Sequence, residues 1–279
     1  LMSLSATIGR DTMQAKRNQT VEEDLQNILD NGGNVWVIGD IHGYAETLIS
    51  LLDRLNLDSL DRVVLLGDLI DRGPNSAEVI KIAREDPRIF SVLGNHEQMM
   101  LANFDPQNLE HFNNEQSAWL YNGGRATIQS YIDEFSDNSG DVDTYQLVKR
   151  SARDLAWLDS LPHHIVLDEF RLVHAGYSPY DGDPDLQSTD TLLWIRRDFH
   201  DSSFPIDYNR TVIFGHSPMP LFGLKQSSVW ESDAELTNGR CAAIGIDSCC
   251  YAGKDPQLTA LNLQTGEIIK QKVKQKMEE

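Results

Sequence analysis

The chain has 279 residues, 40% of them hydrophobic, and a formal net charge of −19 from 43 acidic and 24 basic residues. That length suits one large α/β domain or two small ones, with enough apolar content for a substantial core and too much for a disordered chain. The charge argues against a nucleic-acid backbone as partner, and no run approaches the roughly 18 apolar residues of a membrane span.

Residues 1–33 read as a polar N-terminal extension with one short helix around Val21–Leu29. The opening sequence lacks the basic-then-apolar pattern of a signal peptide, so a cytoplasmic location is expected. VWVIGD (Val35–Asp40) is a short apolar run ended by Gly-Asp and predicts a buried strand. Tyr44–Leu57 carries Leu48, Leu51, Leu52 and Leu55 at helical spacing. RVVLLGD (Arg62–Asp68) repeats the buried strand with the same Gly-Asp ending. Ser76–Arg84 predicts a helix with Asn75 as its N-cap, and IFSVLGN (Ile89–Asn95) a third strand ending in Gly-Asn. This β-α-β-α-β alternation implies parallel strands with crossover helices. Ligand sites in such sheets gather beyond the C-terminal strand ends, so Asp40, His42, Asp68 and Asn95 should converge at one rim.

The stretch from about 97 to 160 is polar and helical, and reads as an insertion within a single domain spanning 34–279. Strands return at His163–Asp168, Phe170–Gly176, Arg210–His216 and Ala242–Asp247. A hairpin follows over Leu258–Ile269, turning at Gln264–Gly266. The last ten residues, KQKVKQKMEE, read as a solvated tail. The three cysteines, with Cys249 and Cys250 adjacent, make a poor disulfide framework and lack the C-x-x-C spacing of a zinc site.

The strand ends supply the chemistry. Asp40, His42, Asp68, Asn95, His174 and His216 offer carboxylate, amide and imidazole donors without a thiolate. That set suits manganese, iron, zinc or a similar ion. Any one of these histidines alone would read as an ordinary buried side chain. Six donors are too many for one open site and suit two divalent ions, with Asp68 on the central strand as the bridge. Such a pair can hold both sides of an in-line displacement at phosphorus and acidify a water for attack. It would also bring about four positive charges to an acidic chain that must accept phosphate. His96, beside Asn95, is placed to protonate a leaving alkoxide, with Asp71 orienting it. Arg72, on the turn before Gly73-Pro74, is a candidate phosphate clamp, although Asp71 and Arg72 taken alone could be turn residues.

The ordered motifs GDIHG (Gly39–Gly43), GDLIDRG (Gly67–Gly73), GNHE (Gly94–Glu97), HAG (His174–Gly176) and FGH (Phe214–His216) resemble the phosphoprotein phosphatase branch of the calcineurin-like metallophosphoesterases. The resemblance runs from about Val35 to Glu267. It implies an α/β fold of two packed mixed β-sheets flanked by helices. It implies metal ligation by Asp40, His42, Asp68, Asn95, His174 and His216, with manganese the first choice and iron, zinc or magnesium alternatives. His96 with Asp71 resembles the family's general-acid pair, and Arg72 its phosphate-binding arginine. A further arginine is expected after a tryptophan, here Arg196 in TLLWIRRDF, with Arg197 second. The implied activity is a serine/threonine phosphatase-like phosphomonoesterase, working by direct attack of a metal-bridging hydroxide. Its substrate would be a phosphoprotein or a small phosphate ester, with no nucleic-acid or membrane partner. One departure bears on the substrate. Many protein phosphatases of this branch carry arginine before GNHE, where this chain has Leu93. Leucine there is similar to the symmetrical bis(5'-nucleosyl)-tetraphosphatases, which makes that activity the alternative.

Overall fold

A computed structural model describes residues 14–106 and 117–274. Among the described residues, ten strands form two five-stranded sheets. The first contains β1 (Val35–Ile38), β2 (Arg62–Leu65), β3 (Ile89–Ser91), β9 (Gln257–Asn262) and β10 (Ile268–Lys272), in the order β10-β9-β1-β2-β3. Strands β1, β2 and β3 are parallel, and the β9–β10 hairpin lies antiparallel beside β1. The second sheet contains β4 (His164–Val166), β5 (Phe170–Val173), β6 (Thr211–Phe214), β7 (Trp230–Glu231) and β8 (Ala243–Gly245), ordered β4-β5-β6-β8-β7. Here β5, β6 and β8 are parallel and the two edge strands antiparallel.

The near-continuous apolar strands follow from burial on both faces. In β1, Val35 and Val37 join a core with Val64, Ile165, Leu172 and Ile213, where residues of the two sheets meet. The alternate residues Trp36 and Ile38 join a different core with Leu48, Leu51 and Ile80. Those three side chains belong to the helices α2 (Ala45–Leu55) and α3 (Ser76–Glu85). In β6, Ile213 faces the first core, while Val212 and Phe214 pack with Tyr177, Leu192 and Phe199. The fold is thus the expected one, two mixed sheets flanked by helices.

Several elements differ from the sequence reading. The strands stop two to four residues early because their Gly-Asp ends turn out of the sheet. Asn95 does not end a strand. It opens α4 (Asn95–Asn103), where Gly94 is the N-cap and the Glu97 side chain accepts the Gly94 N–H at 3.0 Å. Asn75 is the N-cap of α3, but its side chain makes no capping bond. The N-terminal helix α1 is longer than expected (Gln19–Asp30), and its Leu25 is fully buried in the inter-sheet core. Lys16 and His163 exchange hydrogen bonds, and Arg17 pairs with Glu22 and Asp185, so the described part of the N-terminal segment is tied to the domain. Residues 1–13 of that extension lie outside the described residues. The tail reading is corrected: Lys270–Lys272 belong to β10, paired with Gln257–Thr259, while 275–279 lie outside the description. The helical insertion comprises α4, a π-type turn at Leu120–Gly124, α5 (Arg125–Glu134) and α6 (Thr144–Ser160), with 107–116 outside the description. Two further short helices, α7 (Thr189–Trp194) and α8 (Arg197–His200), follow β5. Among the described residues no helix is long and apolar enough to cross a membrane.

Candidate metal centre

The C-terminal ends of the parallel strands of both sheets meet at one rim, and the backbone there is unusual. Seven described non-glycine residues have positive φ. One, Asn56, caps α2; the others are His42, Asp68, Asp71, Arg72, His216 and Cys249. A left-handed L-residue costs about 1 kcal/mol or more, and such strain persists where surrounding contacts over-determine it. Here the loops hold each other. Ile41 and His42 both donate their N–H to the Asp68 carbonyl (3.0 and 2.8 Å), and Gly73 donates to the His42 carbonyl at 2.9 Å. The buried Glu97 carboxylate accepts from the backbone of Asp68 and Leu69, each at 2.8 Å, and of Gly94 and Ile70 at 3.0 and 3.3 Å.

All six expected donors are buried at this rim. Two groups close enough to hold a metal ion share Asp68: His42, Asp68 and His96, and Asp68, His174 and His216. The Asp68 carboxylate lies between them, with Oδ2 3.7 Å from His42 Nε2 and Oδ1 3.3 Å from His174 Nε2. Asp40 Oδ2 is 4.0 Å from His42 Nε2. Its two oxygens also accept the His216 N–H, at 2.9 and 3.2 Å. Asn95 Oδ1 stands 2.8 Å from His174 Nε2 and 3.0 Å from His216 Nδ1. The His216 side chain therefore sits with Asn95 and His174, while its backbone serves Asp40.

The donor set fits divalent ions on protonation grounds. His42 Nδ1 donates to the Ile70 carbonyl at 2.9 Å and His174 Nδ1 to the Leu66 carbonyl at 2.7 Å. Each Nε2 is then a lone pair; that of His174 is aimed at the Asp68 carboxylate and the Asn95 amide oxygen, an acceptor-against-acceptor arrangement that a cation reconciles, whereas that of His42 accepts from Arg72. His216 Nε2 is buried without a partner. Burial lowers the pKa of His42, His174 and His216, which keeps them neutral and able to ligate. Burial works against ionised Asp68, and its pKa is lowered by positive charge on whichever of the imidazoles around it holds a proton, His174 foremost. Burial, Asp247 and Asp68 raise that of Asp40, a like-charge crowding that bound cations would relieve.

The second group is equally ordered. His96 Nδ1 donates to Asp71 Oδ2 at 2.6 Å. Burial opposes protonation of His96, yet the Asp68 and Asp71 carboxylates prevail and raise its pKa. Arg72 donates from Nη1 to His42 Nε2 at 2.6 Å and from Nη2 to His96 Nε2 at 3.0 Å. Its guanidinium lies 4.0 Å from the Tyr251 ring centroid. Arg196 Nη1 donates to the His216 carbonyl and to Ser217 Oγ at 3.0 and 2.9 Å. Arg197 instead starts α8, where its carbonyl accepts the Asp201 N–H. Leu93 is 5% exposed and belongs to the core that the first sheet shares with α2 and α3.

The sequence reading missed several groups at the site. Asp247 is buried, and burial with the Asp68 charge pushes its pKa up to about 6. It closes AAIGID, a strand-end pattern like those already noted, and could have been found by it. Glu97 stands within GNHE but was not assigned a part. Cys250 donates its thiol to the Asp40 and Ile41 carbonyls at 3.3 and 3.2 Å, a packing role that no spacing signals. Tyr251 follows AAIGID in the same loop, whereas Trp119 and Thr127 come from segments without a strand-end pattern.

Comparison with known proteins agrees with this geometry. The calcineurin-like phosphoesterase family matches residues 33–252. Serine/threonine-protein phosphatase 2 of Salmonella typhimurium is 30% identical over 193 residues, which is 66% of this chain and 79% of the relative. A symmetrical bis(5'-nucleosyl)-tetraphosphatase of Yersinia pestis is 42% identical over 71 residues, only 25% of either chain. A solved protein serine/threonine phosphatase from Saccharomyces cerevisiae superposes with a TM-score of 0.50 at 14% identity. It covers 92% of this chain and 90% of that one, and shares the fold.

Proposed function

Because the chain belongs to the calcineurin-like phosphoesterase family, and so hydrolyses phosphate esters, we propose that it is a dinuclear metal-dependent phosphomonoesterase acting on phosphoserine and phosphothreonine of proteins. Asp40, His42, Asp68, Asn95, His174 and His216 would hold the ions, with Asp68, common to both candidate groups, shared between them. When bound, the two ions supply an acidified water as nucleophile and positive charge for the phosphoryl oxygens. Manganese is the first choice for this mixed nitrogen and oxygen set, with iron, zinc or magnesium as alternatives. Arg72 and Arg196 bind and orient the phosphoryl group, and their charge is matched to the oxygens as negative charge shifts there.

The observation that carries the substrate class is the buried His96–Asp71 contact of 2.6 Å. Serine and threonine alkoxides are poor leaving groups and need a proton as the P–O bond breaks. A nucleoside diphosphate leaves without one. His96 is fixed by Asp71 at Nδ1 and has Nε2 beside Arg72 at the ligand cluster; as the imidazolium, with Arg72 turned to the phosphoryl group, it supplies that proton. The breadth of the match to a relative named as a serine/threonine-protein phosphatase supports the same reading. A cytoplasmic location accords with it.

A second reading is symmetrical hydrolysis of a dinucleoside tetraphosphate, favoured by the short, closer match to a relative of that name. The test supplies the manganese-loaded protein with a phosphoserine peptide or a dinucleoside tetraphosphate. The expected result is a higher kcat/KM for phosphate release from the peptide. His96→Asn should lower that rate by about 10²–10⁴-fold. A higher efficiency in nucleoside diphosphate release would replace the first reading by the second.

A further inference from the structure

The Asp71 carboxylate is fully buried and receives more than the histidine. Trp119 Nε1 donates to its two oxygens at 3.0 and 2.9 Å, and Thr127 Oγ1 donates to Oδ1 at 2.6 Å. The Asp71 N–H is held in turn by Ser76 Oγ and Thr127 Oγ1, both at 3.0 Å. Trp119 and Thr127 belong to the insertion, not to the strand ends that supply the metal donors. Trp119 is fully buried, with its ring centroid 5.7 Å from that of Phe104. A Cβ on Gly124 would lie 2.5 Å from the Trp119 ring, so this glycine lets the backbone close over the indole. Its neighbour Gly123 has φ +114°, and its carbonyl accepts the Arg72 N–H at 3.2 Å. A Cβ there would come within 2.8 Å of both Arg72 N and Cγ. One nine-residue stretch thus grips both residues of the Asp71–Arg72 turn.

We propose that Trp119 and Thr127 are positioning residues for leaving-group protonation. A carboxylate bound only to His96 could rotate about its terminal torsion and offer either oxygen at varied angles. Two further donors fix its plane, so that Oδ2 meets His96 Nδ1 and the imidazole presents Nε2 to the leaving oxygen. Gly123 adds a backbone anchor for Arg72. The insertion is by this account part of the acid-catalytic apparatus, beyond covering the core. The inference rests on the reading of His96 as general acid, and two independent readouts separate the two.

The first readout is the dependence of kcat on the leaving group, from 4-nitrophenyl phosphate to an alkyl phosphate, in wild type, His96→Asn, Trp119→Phe and Thr127→Val. Trp119→Phe keeps an aromatic ring and Thr127→Val the side-chain shape, and thermal unfolding shows whether either has lost its fold. Trp119→Phe and Thr127→Val should lose about 10–100-fold on the alkyl ester, as supporting residues of a functional group do, and far less on the nitrophenyl ester. Neither should worsen His96→Asn. Equal losses on both esters, or none, would overturn the proposal. The second readout is the nitrogen-15 spectrum of the His96 ring in metal-free protein. At a pH where the ring is neutral, wild type should show the Nδ1–H tautomer alone and the two variants a mixture of tautomers; an unchanged spectrum would also overturn it. If His96→Asn shows no leaving-group dependence, the acid reading fails, and the ring spectrum alone then decides whether Trp119 and Thr127 set the histidine.

Discussion

At the scale of single residues, the site is built from side chains in conformations their type disfavours. His42, Asp68, Asp71, Arg72 and His216 all have φ between 48° and 72°. None of this is visible in composition or periodicity, because strain of this kind is set by hydrogen bonds from distant segments. Glu97 shows the means: one carboxylate absorbs four backbone N–H groups from two loops. Leu93 shows the converse. By its place just before GNHE it bears on the choice of substrate in the sequence reading. In the fold it is 5% exposed and belongs to the same buried hydrophobic core as Leu65, Leu69 and Met100. Leu93→Arg is therefore expected to bury a charge without a partner and to lower the thermal midpoint, with no gain in phosphopeptide turnover. A variant of wild-type stability with raised phosphopeptide kcat/KM would show that the position faces substrate after all.

At the scale of elements, the strand ends were the legible part. The apolar runs ending in Gly-Asp, Gly-Asn or Gly-His located β1, β2, β3, β6 and the rim they share, because a strand buried on both faces has no other way to read. The six donors all lie at that rim for the same reason. Three features could not be read. The two-residue strand β7 and the short helices α7 and α8 lack enough residues to show a period. Asn95 looked like a strand end because Gly94 serves equally as a turn or as an N-cap. The part played by Trp119 and Thr127 depends on a packed insertion, whose place relative to Asp71 no local pattern encodes. The glycine of FGH has a more specific duty than turning the chain. A Cβ on Gly215 would collide with Asp40 Oδ1, so its absence lets the end of β6 close on the end of β1 across the two sheets. Gly215→Ala is expected to weaken manganese binding about 10–100-fold by calorimetry. Unchanged affinity would mean that Asp40 moves aside at no cost.

At the scale of the whole molecule, three histidines outside the site, His163 and His164 buried and His200 half-buried, contribute to the response to acid. Burial depresses His163 and His200 from 6.5 to about 4, and His164 to about 3. The unfolded chain takes up their protons near pH 6.5, whereas the folded chain refuses them until far lower. Stability is therefore retained above that pH and declines as the pH falls from about 6.5 toward 4. His200 is packed among Phe199, Phe214, Phe222 and Trp230, with Nε2 buried and unpartnered. It alone should cost on the order of 2 kcal/mol at pH 5. In His200→Phe the thermal midpoint should fall less steeply between pH 7 and 5 than in wild type, and parallel slopes would disprove this share. The site also has a mechanical side. Asp40, His42, Asp68 and Asn95 follow strands of one sheet, while His174 and His216 follow strands of the other. Ions held by both sets would act as rivets through the seam between two plates, shortening the loops an unfolded chain must close. Without them the plates are joined at this rim by contacts such as the His216 N–H on Asp40. The seam would then part first at the edge where substrate enters.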